Sequence, residues 1–365
     1  MSLAEPLQQI DRTYVLHRGR KLSYFGGCDY FRMSSHPAVL KALAEGTRKF
    51  GLNVAASRTT TGNHELFGQL EKELARFFGV ESAILLSNGY ATNLAFAQSF
   101  ADHFTHAIMD DRSHGSLTDA AALLNAPVRF FRHQDPVHAK QQLGRSGKNA
   151  RPLFLTDGLF AHDGSLAPLE RYLDALPRSG MLLVDDAHGA GTIGRNGRGT
   201  PEVCGVSDPR LVQTISLSKA FGVYGGAILG TETIIGQVRE QSRIFRGNTP
   251  PPLPLVNAAL ASLKVLNANA SLRRRLNSNT QIIKDALRSA GWKLADNSSP
   301  LVGIVPASGQ QAERMRRRLL RSGVYPSLVR YGHTPPPGAF RFAISSEHTE
   351  LQLAALATGL GKPGE

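Results

Sequence analysis

The sequence predicts an α/β protein: a seven-stranded, mostly parallel sheet covered on both faces, followed by a smaller C-terminal α+β domain. Two observations carry this. Seven short apolar runs recur at 83–86, 106–109, 128–131, 153–155, 181–184, 211–215 and 226–229. Helix-length segments separate them, the spacing expected where crossover helices cover both faces of a parallel sheet. After the proline run at 250–254 the pattern changes to two helices, a strand at 301–305, a basic helix and a strand at 340–344. Proline interrupts both ladders and helices, so this run marks a hinge. The expected organisation is an N-terminal arm over 1–45, a large domain over 46–250 and a small domain over 251–365.

Composition narrows the function. A chain of 365 residues, 41% of them hydrophobic, can bury a large core. It holds no apolar run of about eighteen residues and no apolar leader, so a cytoplasmic protein without membrane contact is expected. Cys28 and Cys204 supply neither a disulfide framework nor a metal cluster, and no metal is expected. The net charge is +13, and from Leu255 onward 15 Lys and Arg face 6 Asp and Glu. Arg273, Arg274 and Arg275, and Arg314, Arg316, Arg317, Arg318 and Arg321, lie on helically spaced stretches. They read either as a solvated helix face or as a field that attracts an anionic substrate. No interleaved aromatics accompany them, so nucleic acid is not an expected partner.

The strand at 211–215 runs into Ser216-Leu217-Ser218-Lys219-Ala220-Phe221-Gly222, which places a lone lysine in a small-residue turn. Alone, Lys219 reads as a strand-end lysine reaching solvent. A desolvated lysine is also the usual amine for a Schiff base with a carbonyl cofactor. The strand at 181–184 ends in Asp185-Asp186-Ala187-His188-Gly189, at the edge where α/β folds build their sites. Neighbouring strand residues face opposite sides, so Asp185 and Asp186 are expected to diverge. Ser87-Asn88-Gly89-Tyr90 should open a helix whose amides and dipole suit a phosphate. His114 lies in the loop Asp110-Asp111-Arg112-Ser113-His114-Gly115-Ser116. Asp157 and Asp163 read equally as turn carboxylates or as site residues.

Lys219 with Asp185 and His188 resembles the pyridoxal-phosphate enzymes of fold type I. The wording D-D-A-H-G followed by S-x-S-K-A-F-G is similar to that of the α-oxoamine synthases, and the likeness runs over residues 22–350. The resemblance implies pyridoxal 5'-phosphate on Lys219, with Asp185 facing the pyridine nitrogen and His188 the phenolic oxygen. It further implies that His114 covers the ring and that Gly89, Tyr90, Ser216 and Ser218 bind the phosphate. The stretch from His333 to Arg341 resembles the family's substrate-carboxylate segment, which gives that role to Thr334 and Arg341; Arg341 also reads as an edge ion pair.

The implied reaction condenses a small amino acid with an acyl-CoA or acyl-carrier thioester, releasing CO2 and an α-aminoketone, in a homodimer. An aminotransferase or lyase of the same fold would use the same lysine and aspartate. Four positions depart from the family wording: Cys28 for asparagine, Phe67 for histidine, Ala161 for serine, and Gly247 within the family's F-S-T-S.

Overall fold

The chain begins with strands β1 (Gln8–Gln9), β2 (Tyr14–His17) and β3 (Arg20–Ser23), an antiparallel meander in which Val15 pairs with Leu22 and both are buried. This region has little apolar pattern because its strands are only two to four residues long. The computed structural model describes residues 5–145, 147, 149–330 and 336–364. Within it the chain forms two compact units, one of Met33–Phe160 with Leu166–Ala268, the other of Met1–Arg32, Ala161–Ser165 and Asn269–Glu365.

The larger unit opens with α1 (Pro37–Phe50), whose first residue is a proline, and α2 (Glu65–Phe78). Leu66, Phe67, Leu70, Leu74 and Phe78 form the buried stripe of α2, and Gly79, at φ 70°, ends it in the left-handed conformation glycine adopts freely. The seven apolar runs then become β4 (Ser82–Leu86), β5 (His106–Asp110), β6 (Val128–Phe131), β7 (Pro152–Asp157), β8 (Met181–Asp185), β9 (Leu211–Ser216) and β10 (Gly226–Gly230). Their order across the sheet is β4-β10-β9-β8-β7-β5-β6. Pairs among β5 to β9 are parallel, while β10 runs antiparallel to both neighbours.

Period-two alternation gives the sheet two packed faces. Met109, Leu155 and Leu183 join one cluster with Phe96 and Phe100 of the segment after β4. Ile108, Phe154, Leu182 and Val184 join another with Phe160 and Tyr172. The helix Leu253–Ala268 belongs to this unit, so the chain leaves it after Ala268, beyond the proline run at which the sequence places the hinge. The reason is packing: Gly46 of α1 lies so close that an added Cβ would stand 2.9 Å from Pro254 Cα.

The smaller unit holds β11 (Leu301–Ile304), β12 (Leu328–Val329) and β13 (Ala339–Ala343), an antiparallel sheet with β13 in the middle. Helices Ala270–Ser289, Gly309–Arg321 and Glu350–Leu360 supply Ile283, Leu287, Met315, Leu353 and Leu356 to its core beside Phe340 and Phe342. Among the described residues, no helix is long and apolar enough to cross a membrane.

Candidate active site

The site grows from the carboxyl ends of β7, β8 and β9 and the amino ends of two helices, α3 (Gly89–Ser99) and α4 (Gly115–Ala121). The alternation that sends Leu155 and Leu183 towards α3 sends Asp157 and Asp185 the same way, in register on adjacent strands. Asp185 Oδ2 accepts from Asn93 Nδ2 at 2.6 Å and from Ser116 Oγ at 3.2 Å, and its Oδ1 accepts from the Ala187 amide at 3.2 Å. Thr214 Oγ1 on β9 donates to Asn93 Oδ1 at 2.7 Å, fixing that amide's orientation. The Asp185 carboxylate is therefore held by α3, α4 and the amide of the turn that follows it, with β9 orienting Asn93.

Asp186 goes to the opposite face. Its carboxyl accepts from Thr200 N at 2.8 Å, Thr200 Oγ1 at 2.7 Å and Gln213 Nε2 at 2.7 Å. Burial pushes it up to about 7 despite those donors. Asp157 is driven well above the usual carboxylate range, first by burial and then by Asp185 alongside. The His114 amide and the Lys219 ammonium pull it the other way.

His114 caps α4: its Nδ1 accepts from Ser116 N at 3.2 Å and lies 2.8 Å from Ser116 Oγ, while its own amide donates to Asp157 Oδ1 at 3.0 Å. Ser116 thus touches both His114 and Asp185. Tyr90 sets its ring edge-on to His114, with centroids 6.1 Å apart, and donates its hydroxyl to Asp119.

Asn88 caps α3, its Oδ1 accepting from Ala91 N at 2.9 Å. Gly89 follows, and a Cβ there would lie 2.9 Å from Ser216 Cβ, so the helix start and the end of β9 are in contact. Ser216 and Ser218 share a hydrogen bond of 2.7 Å between their hydroxyls.

Lys219 lies partly buried in the turn from β9 to β10, which is closed by bonds from Leu217 N to Gly225 O at 2.9 Å and from Gly222 N to Lys219 O at 3.0 Å. Gly222 has φ 63°, and a Cβ on it would stand 2.3 Å from Ser34 N, so this turn requires glycine. His188 is buried just past β8.

The structure thus brings Lys219, Asp185, His188, His114, Gly89, Tyr90, Ser216 and Ser218 to one edge of the sheet in the larger unit. Arg341 is on β13 in the smaller unit, where its Nη2 donates to Gly26 O at 3.0 Å. Thr334 lies outside the described residues. Sequence reading missed Asn93, Ser116 and Thr214 as the supports of Asp185. The available signal was an asparagine four residues into a helix of otherwise small and apolar character.

A family model described as aminotransferase class I and II matches residues 26–360. The chain belongs to that family. It is 33% identical over 347 residues to 8-amino-7-oxononanoate synthase from Thioalkalivibrio sulfidiphilus, covering 94% of this chain and 88% of the relative. With the enzyme of the same name from Trichlorobacter lovleyi it shares 30% identity over 369 residues, 99% of this chain and 94% of the relative.

Among solved structures, serine palmitoyltransferase from S. paucimobilis with a bound PLP–myriocin aldimine superposes with TM-score 0.90 at 28% identity, covering 97% of this chain and 90% of that one. The 8-amino-7-oxononanoate synthase of Francisella tularensis gives TM-score 0.80 at 27% identity, with 93% and 97% covered. The chain thus has the fold of the fold type I transferases and sits on the α-oxoamine synthase branch. Among the departures, Phe67 is fully buried with the Arg58 guanidinium 4.8 Å from its ring centroid, and Arg58 pairs with Glu71. The histidine position of the family wording is here part of the packing.

Proposed function

We propose that this protein is a pyridoxal-phosphate-dependent acyltransferase of the 8-amino-7-oxononanoate synthase type. It joins a small amino acid to the acyl group of an acyl-CoA or carrier-bound thioester and releases an α-aminoketone. The observation that carries the reading is the buried Asp185 carboxylate, fixed by Asn93 and Ser116 on the strand beside the one that leads into Lys219.

The residues present fit the cofactor. The bare Cα of Gly89, the start of an 11-residue helix and the paired Ser216 and Ser218 hydroxyls suit a phosphate, which the helix dipole favours. A carboxylate suits the ring nitrogen, and imidazoles suit the ring face and its phenolic oxygen. Bound pyridoxal phosphate supplies an electron sink for negative charge at the amino acid's α-carbon.

Lys219 Nζ would hold the cofactor and would serve as the general base for the amino acid's α-proton. Asp185 would keep the ring nitrogen protonated, His188 would bond the phenolic oxygen, and His114 would cover the ring. The amides of Gly89 and Tyr90 and the hydroxyls of Ser216 and Ser218 would bind the phosphate. Arg341, with Thr334, takes the substrate carboxylate, for which a planar guanidinium is suited. The new carbon–carbon bond forms at the thioester carbonyl, the C–S bond breaks with CoA or carrier leaving, and the amino acid's carboxylate leaves as CO2; the proton taken by Lys219 and one from solvent go to the thiolate and to the α-carbon. The protein acts in the cytoplasm as a homodimer, as expected for a closed isologous pair.

Glycine, L-alanine and L-serine labelled in the carboxyl group, offered with a panel of acyl-CoA and acyl-carrier thioesters, test the reading. Labelled CO2 should appear in step with free thiol, and Lys219→Ala should abolish it while still taking up pyridoxal phosphate without a covalent bond. Label retained throughout, with amino transfer to a keto acid, would make the protein an aminotransferase.

A further inference from the structure

Asn88 has more to do than cap α3. Its Oδ1 is committed to Ala91 N at 2.9 Å, so its Nδ2 is the atom that faces Tyr224, donating to the phenol oxygen at 3.1 Å. Tyr224 is exposed, and among the described residues no acceptor takes its own O–H proton. The oxygen that accepts from Asn88 directs that proton elsewhere.

The approach of this segment to α3 is built into the backbone. A Cβ on Gly226 would lie 2.6 Å from Asn88 C and 2.7 Å from Gly89 N, so only a bare Cα lets the start of β10 sit against the start of α3. Three segments therefore converge around Gly89: Asn88 before it, Ser216 and Ser218 from the end of β9, and Tyr224 from the far side of the Lys219 turn. Two of the three already offer hydroxyls or amides to an anion. The third brings a phenol with a free donor.

We propose that Tyr224 is a cofactor-binding residue, its hydroxyl held by Asn88 and donating to the phosphate seated at the start of α3. The proposal rests on the pyridoxal-phosphate reading above and adds a ligand that the family wording around Gly89 and Ser216 does not include. A neutral hydroxyl donating to a phosphate makes a charge-assisted bond, stronger than one between neutral groups.

Binding of pyridoxal 5'-phosphate and of pyridoxal, which lacks the phosphate, to cofactor-stripped protein tests it. Tyr224→Phe should weaken pyridoxal phosphate about tenfold and leave pyridoxal unchanged. An equal loss for both compounds, or none, overturns the proposal. A second measurement separates contact from support of Asn88: in an Asn88→Ser background, which keeps a capping side chain, the phosphate-selective loss on Tyr224→Phe should persist. Its disappearance there would mean that Tyr224 acts only by orienting Asn88. Wild-type protein that takes up neither compound would instead remove the cofactor reading, and this role with it.

Discussion

Asp185 and Asp186 are adjacent in sequence and chemically identical, yet they sit in opposite faces of one sheet. Asp185 meets Asn93 and Ser116, whereas Asp186 is enclosed by Thr200, Gln213 and the bare backbones of Gly158, Gly189 and Gly199. Folding raises the Asp186 carboxyl from 3.8 to about 7, so the folded chain keeps a proton there that the unfolded chain has released. The stability this contributes is complete below 3.8 and is lost as pH climbs through about 7. Urea unfolding at pH 5 and pH 8 should show wild-type stability falling over that interval. Asp186→Asn, uncharged throughout, should flatten the fall, and an unchanged slope would assign the pH dependence to other groups.

At the scale of elements, the proposed phosphate cradle is a contact between the start of α3 and the end of β9, with one glycine as the spacer. Placing a methyl group on Gly89, 2.9 Å from Ser216 Cβ and 3.2 Å from its Oγ, forces the two apart. Gly89→Ala should therefore weaken pyridoxal phosphate binding by tenfold or more. Its stability cost should be about 1–3 kcal/mol, the range for overpacking a closed contact. Cofactor titration beside thermal unfolding checks both, and a variant that binds like wild type would show that the cradle is elsewhere. The seven strands were legible because each is a short apolar run between helix-length segments. The meander of β1 to β3 was not, because strands this short carry too little alternation to separate from a loop.

For the whole molecule, the family and the proposed reaction lead to a homodimer. Sedimentation at micromolar concentration should give twice the 39.4 kDa chain mass, and a fully active monomer would refute the assembly. Beyond Leu255, Arg316 and Arg317 both bond Glu313 on the same helix, an acid already counted against the basic excess. The helix Gly309–Arg321 still carries five arginines against that one glutamate, so its net field stays positive, while the exposed i to i+3 and i+4 pairs contribute little stability.

The strand runs, the lysine turn, the carboxylate pair with its histidine and the family could all be read without the structure. These depend on local periodicity and on residues close together in the chain. What surrounds them came from the fold. Asn93 and Ser116 reach Asp185 from two helices while Thr214 of β9 orients Asn93, and Asp157 gains its proton affinity from burial beside a carboxylate 28 residues away in register on the next strand. The helix Leu253–Ala268 joined the larger unit because its packing on α1 outweighs the proline run before it. Burial and strand register act between segments that are distant in sequence, and no local pattern encodes them.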